Sequence, residues 1–344
     1  MKRRRALVAA AATLAAPAAT HAQMAQMKMK YPQGTKQRQV RFAGSDGAEL
    51  AGTLLLPLIS EVQYVPGVVM VAGSGPTDRD GNNALAPVPI DLLKQIAALL
   101  ARAGIASLRY DKRGIGASTP RPTASLQAQE RFFAWENFVG DVQAAHAELL
   151  RHNEIKPYAT AFLGHSEGAL LALAATAAMG KRAPYALVLA GAPGRPLSDI
   201  VRSQIRRNAP KLLAVAEQVM AVVLDTGHVP PHVPAELQFI FPAYGGPFLK
   251  SLLTFDPARV ATEIDTPCLM LHGGADVQIV PLGDIQPLID ALAERGKPGE
   301  VMVAPLVSHN LKAVGAPNDP GFAGPIAPAI ADKLSAWLTL VLGA

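Results

Sequence analysis

Thr160-Ala161-Phe162-Leu163 is an apolar run of strand character, Gly168 to Met179 carries a helical pattern, and Gly164-His165-Ser166-Glu167-Gly168 joins them. A strand that becomes a helix over so short a connection needs a sharp turn, and glycines on either side of Ser166 remove the side chains that would collide there. The serine is then lifted above the end of the strand, and the N-terminus of the following helix favours negative charge beside it. A chain organised around such a unit is expected to be α/β, with Ser166 at the carboxyl edge of a sheet.

The rest of the pattern agrees with that class. Val40 to Phe42 and Leu50 to Leu56 bracket the turn signal Ser45-Asp46-Gly47 and predict a hairpin. Gly67 to Ala72, Ile105 to Tyr110 and Cys268 to His272 read as buried strands, and Ala186 to Ala190 and Val301 to Val303 as further strands. Helical stretches alternate with them at Ile90 to Ala103, Phe132 to Arg151, Gly168 to Met179, Ile285 to Arg295 and Pro328 to Leu340. Strands alternating with helices predict a mostly parallel sheet covered on both faces. Residues 194–263 interrupt the rhythm and are too long for an ordinary loop, so they predict a helical lid insertion. Its Phe239, Phe241, Tyr244, Phe248 and Phe255 suit either a substrate pocket or the seam with the core, and packing is the plainer use of apolar side chains.

Residues 1–22 have the layout of a secretory signal peptide: Lys2, Arg3, Arg4 and Arg5, an apolar stretch from Ala6 to Ala19, and small residues up to Ala22. The apolar stretch is too short to span a bilayer, so no stable membrane insertion is expected once it is removed, and the product is expected to be secreted or periplasmic. The paired arginines leave the export route open. Residues 23–37 read as a flexible leader, and 38–344 as the catalytic-type α/β domain. The chain carries 32 Lys and Arg against 27 Asp and Glu, a net +5; without the four basic residues of the signal the balance is 28 against 27, or +1. The basicity is therefore mostly an address, and nucleic acid is not an expected partner. The lone Cys268 excludes an intramolecular disulfide and reads as a small core residue.

A serine hydroxyl needs a neighbouring base, and the base an orienting carboxylate. His228, His232, His272 and His309 follow Ser166. His272 ends a buried strand and reads as core; His228 and His232 belong to the insertion. His309 lies in Val307-Ser308-His309-Asn310, between the last strand and the closing helix, and is the expected base. Asp276 follows the strand Cys268 to His272 directly and is the expected orienting acid. Asp265 precedes that strand; Asp284 remains an alternative, though a helix-capping role suits it better. The negative oxygen of an attacked carbonyl needs backbone donors, expected from Glu167 and from the loop Gly73-Ser74-Gly75-Pro76. Ser74 is preferred there, with Gly75 as the alternative; Pro76 has no N–H to give.

Three segments then appear in order: Gly73 to Gly81 (Gly-Ser-Gly-Pro-Thr-Asp-Arg-Asp-Gly), Arg109 to Ser118 (Arg-Tyr-Asp-Lys-Arg-Gly-Ile-Gly-Ala-Ser), and Gly164 to Gly168. With Asp276 and His309 they resemble bacterial α/β-hydrolases of the carboxylesterase and serine aminopeptidase-like groups, over roughly Val40 to the C-terminus. The resemblance implies an α/β-hydrolase fold, a cofactor-free serine hydrolase and a small-molecule ester substrate of short to medium acyl length. Aminopeptidase-like and thioesterase activities use the same residues. A peptidase of this kind needs insertion carboxylates such as Glu217, Asp225 or Glu236 to hold a substrate ammonium. A non-catalytic binding scaffold is the reading from a different class. Asp78, Arg79 and Asp80 are expected to brace the Ser74 loop, and Asp111 to Ser118 to shape the floor beneath it. The sequence leaves the oligomeric state open.

Overall fold

The computed structural model describes residues 31–58, 64–281, 283–297, 299–316 and 319–344. The expected signal segment and the leader up to residue 30 lie outside them. Eight strands form one sheet in the order β1-β2-β4-β3-β5-β6-β7-β8: β1 Lys36–Ala43, β2 Glu49–Leu56, β3 Val65–Val71, β4 Ala106–Tyr110, β5 Ile155–His165, β6 Ala186–Ala190, β7 Cys268–Gly273 and β8 Gly299–Ala304. β1, β2 and β4 pair antiparallel, and β4 to β8 run parallel in the spatial order given.

Successive strand residues point to opposite faces, and the chain supplies apolar side chains to both. Val69, Val71, Phe162, Leu187, Leu189 and Met270 pack into one layer with α3 (Trp135–Leu150), α4 (Glu167–Met179) and α9 (Gln286–Glu294). Val68, Met70, Leu163, Val188, Leu269 and Leu271 pack into the other with α1 (Leu92–Arg102) and α10 (Pro328–Leu342). This double cover is why the inner parallel strands read as continuous apolar runs, while the edge strand β8 is largely exposed. Cys268 is part of the first layer, and burial pushes its thiol up to about 11.

The helix expected over Phe132 to Arg151 is instead two, α2 (Leu126–Phe132) and α3. Ala134 is extended between them, and the buried Arg113 guanidinium donates to the Phe132 carbonyl at 2.9 Å, removing that acceptor from any continuous helical ladder.

Between β6 and β7 lie α5 (Leu197–Asn208), α6 (Leu213–Thr226), α7 (Gly246–Thr254) and α8 (Pro257–Glu263). Val201, Ile205, Met220, Val223, Phe241 and Leu249 give this segment a small core of its own. Its aromatics also form the seam with the sheet layers: Trp135 meets Phe248 and Phe255 at ring separations of 5.6 and 5.3 Å, and Phe133 meets Tyr244 at 4.8 Å. Among the described residues no helix is long and apolar enough to cross a membrane.

Register decides where the chemistry-bearing loops emerge. Val71 pairs with Gly164, His165 with Ala190, Ala190 with Leu271 and Gly273 with Ala304. The carboxyl ends of β3, β5, β6, β7 and β8 are thus level. The connection from β3 leads to β4 on one side while β5 lies on the other, so the chain changes winding direction at β3/β5 and opens a crevice above that edge.

Candidate active site

Ser166 sits at the tip of the turn from β5 into α4 with φ 56° and ψ −123°, a left-handed backbone that costs a non-glycine residue about 1–3 kcal/mol. The flanking glycines are a steric requirement. A Cβ on Gly164 would stand 2.1 Å from the Gly168 carbonyl oxygen, and one on Gly168 2.3 Å from that of Val71. The Ser166 amide donates to Ala190 O at 2.8 Å, which ties the turn to β6 and leaves the side chain half-buried at the crevice.

His309 and Asp276 come together at the same edge. His309 Nδ1 donates to Asp276 Oδ2 at 2.7 Å; a carboxylate only accepts, so the Nδ1 proton is fixed and Nε2 is left as the basic nitrogen. The other carboxylate oxygen accepts from Gln278 N at 2.8 Å and Ile279 N at 2.9 Å. Burial would raise the Asp276 carboxyl, but His309, His272 and the Ile279 amide together hold it below the ordinary carboxylate range. Ser166 and His309 border one cavity.

His272 is fully buried, and its Nε2 donates to Ile279 O at 2.9 Å while lying 3.3 Å from Asp276 Oδ2, so it is a core residue bracing the Asp276 loop. His228 is largely exposed and pairs with Glu130; His232 is exposed. Asp284 does not cap α9. It is buried, takes Arg195 Nε at 2.8 Å and Val280 N at 2.8 Å, and holds the segment after Asp276 to the start of the insertion. Asp265 pairs with Lys297.

Ser74, Gly75 and Glu167 all border the cleft at Ser166. Lys112, nearly buried, holds them in place: its ammonium donates to Gly73 O at 2.7 Å and to Glu167 Oε1 at 2.8 Å, joining the β3 loop to the turn that carries Ser166. Asp78, Arg79 and Asp80 form the expected brace. Asp78 Oδ1 accepts from the Asp80 and Asn82 amides, Arg79 Nη2 meets Asp111 Oδ2 at 2.6 Å, and Asp80 pairs with Arg109.

Two supports escaped the sequence reading, Lys112 and His165. His165 Nε2 donates to the His309 main-chain oxygen at 2.9 Å, with the rings 4.8 Å apart, so the residue beside Ser166 anchors the loop that carries His309. The available signal for Lys112 was a run of charges, Asp111 to Arg113, directly after a buried strand, where each must find a partner.

Burial, and next His309, lowers His165 to about 3; burial alone lowers His146, whose Nε2 lies 2.8 Å from Thr160 Oγ1, to about 4. Both values lie below the ordinary 6.5, so the unfolded chain takes up protons first as the pH drops. The stability these two groups contribute is complete above pH 6.5 and is lost as pH falls toward 4. Denaturant unfolding between those limits is expected to lose about 1.4 kcal/mol per pH unit for each histidine, and His146→Gln to remove one such share. An unchanged slope in the variant would show that His146 does not fold neutral.

The sheet order and its helical layers are those of the α/β-hydrolase fold, and the comparisons with known proteins agree. The chain has the fold of that superfamily and is similar to its esterases and serine aminopeptidase-like members. A family model described as "Serine aminopeptidase, S33" matches residues 90–241, a stretch that contains Ser166 but neither Asp276 nor His309. Esterase EstD of Thermotoga maritima is 27% identical over 220 residues, covering 62% of this chain and 47% of EstD, so the match spans about half of that relative's length. Among solved structures, the α/β hydrolase GrgF from Penicillium sp. sh18 superposes with a TM-score of 0.57 at 21% identity, over 90% of this chain and all of GrgF. Est1E from Butyrivibrio proteoclasticus, solved with ferulic acid, gives 0.56 at 14%, over 89% of this chain and 100% of Est1E. A puromycin-hydrolyzing peptidase of Mycobacterium tuberculosis gives 0.58 at 19%, over 90% of this chain and 40% of that one.

Proposed function

We propose that the protein is a serine hydrolase that cleaves carboxylic esters of short to medium acyl length, with Ser166 as nucleophile, His309 as base and then acid, and Asp276 as its orienting carboxylate. Ser166 Oγ attacks the carbonyl carbon as its proton passes to His309 Nε2. The tetrahedral oxyanion is received by the Ser74 and Glu167 amides, each typically worth about 3 kcal/mol to the transition state. The C–O bond to the alcohol breaks, His309 returns the proton to the leaving oxygen, and water then cleaves the acyl-serine by the same steps. One ester and one water give one acid and one alcohol. The signal-like residues 1–22 support export to the periplasm or the medium.

The observation that carries ester over peptide chemistry is the wall of the cleft. It encloses about 680 Å³ and is lined largely by apolar side chains; the carboxylate among its described residues, Glu167, is already paired with Lys112. An aminopeptidase must hold a substrate ammonium, and Glu217, Asp225 and Glu236 are exposed and do not border this space. The family-model match favours the peptidase as second reading. Purified protein assayed on a p-nitrophenyl ester beside an amino-acid arylamide is expected to turn over the ester by a wide margin; a clear preference for the arylamide would sink the esterase reading.

A further inference from the structure

We propose that two cavities meeting at Ser166 divide the substrate between them: the acyl group enters the large cleft beneath the insertion, and the alcohol enters a small cavity beside His309. The protein is then selective for apolar acids esterified to small alcohols. This rests on the ester-hydrolase reading above.

The small cavity encloses about 130 Å³, about a fifth of the 680 Å³ of the large one. Ser74, Leu85, Ser166, Phe239 and Gln278 border both and form the waist between them. The waist is fixed from both sides, because Gln204 Nε2 on α5 donates to Gln278 O at 2.9 Å, in the segment that also supplies amides to Asp276. Beyond the waist the walls differ. His309 and Asn310 border the small cavity and not the large one, while Glu167 and Leu170 border the large one and not the small.

Reaction geometry converts that difference into an assignment. In the tetrahedral adduct the carbon bonded to Ser166 Oγ carries the oxyanion, the acyl chain and the leaving oxygen. The leaving oxygen must take its proton from His309, so the substituent on it extends to the His309 side. The acyl chain is left to point the other way, past Glu167. The size of the walls matches: Ile90, Phe239 and Phe322 close the small cavity around a short alcohol, whereas Val201, Ile205, Phe248 and Leu252 offer an apolar sleeve to a hydrocarbon or aryl acid.

Two ester series on the purified protein test this. With methyl esters lengthened from acetate to octanoate, kcat/KM is expected to rise by up to about fourfold per methylene until the cleft is filled. With acetate esters lengthened from methyl to octyl, kcat/KM is expected to fall at least about tenfold. Val201→Trp, which fills the cleft, is expected to lower the octanoate-to-acetate ratio about tenfold. A rise along the alcohol series with a flat acyl series would overturn the assignment while leaving the hydrolase intact. If no ester in either series is turned over, the ester reading itself fails, and the assignment with it. The wild-type series stands as a test even if the Val201 variant does not fold.

Discussion

Ser166→Ala is expected to lower ester turnover by on the order of a million-fold, the loss seen when a nucleophile is removed from a set of residues that act as one unit. The effect is large because the other parts have nothing to act on: the base held by Asp276 has no proton to take, and no acyl-serine can form. Alanine fills the same strained position with one atom fewer, so the turn, the Ala190 hydrogen bond and the fold are expected to survive. Steady-state assay with far-ultraviolet circular dichroism separates loss of chemistry from loss of structure. Labelling by a fluorophosphonate should disappear in parallel. A variant that keeps more than about a thousandth of the parent rate would place the nucleophile elsewhere.

Asp141→Ala is expected to destabilise the fold by about 3–5 kcal/mol, although the residue lies in α3 and touches no part of the proposed chemistry. Asp141 receives Arg113 Nε and Nη2, both at 2.8 Å, and its Oδ1 also accepts from Ser45 N at 2.9 Å. Arg113 is fully buried, so removal of the carboxylate leaves a desolvated guanidinium with its strongest partner gone. Asp46 and the Phe132 and Ser45 carbonyls still hold part of the group, which keeps the cost from being larger. Urea unfolding of parent and variant measures the difference; a loss below about 1 kcal/mol would mean that water reaches the site and screens the pair.

The elements legible in the sequence were those whose pattern is set by their own burial. The inner parallel strands β3, β4, β6 and β7 stand out because both faces are covered, and the β1–β2 hairpin because Ser45-Asp46-Gly47 marks its turn. The placement of Ser166, Asp276 and His309 after β5, β7 and β8 follows from the order of strands, since parallel strands of one sheet end on one edge. What stayed hidden depends on partners distant along the chain. The break before α3 arises because Arg113 takes the Phe132 carbonyl. The role of Asp284 arises from Arg195, on the far side of the insertion. Lys112 and His165 likewise act on loops that no local period connects to them. Spacing reports which face a residue occupies; it does not report which distant group meets it there.

The insertion leaves the sheet after β6 and returns at β7, yet β6 and β7 are hydrogen-bonded neighbours, Leu187 beside Cys268 and Ala190 beside Leu271. Their alignment is set by the ladder and not by what is strung between them. Residues of the insertion that line the cleft can therefore vary while the strands leading to Ser166, Asp276 and His309 stay aligned, provided Arg195 and Gln204 keep their hold on the segment after Asp276. Much of the cleft wall and the ladder that sets the alignment thus lie on separate stretches of one polypeptide, tied together at Arg195 and Gln204.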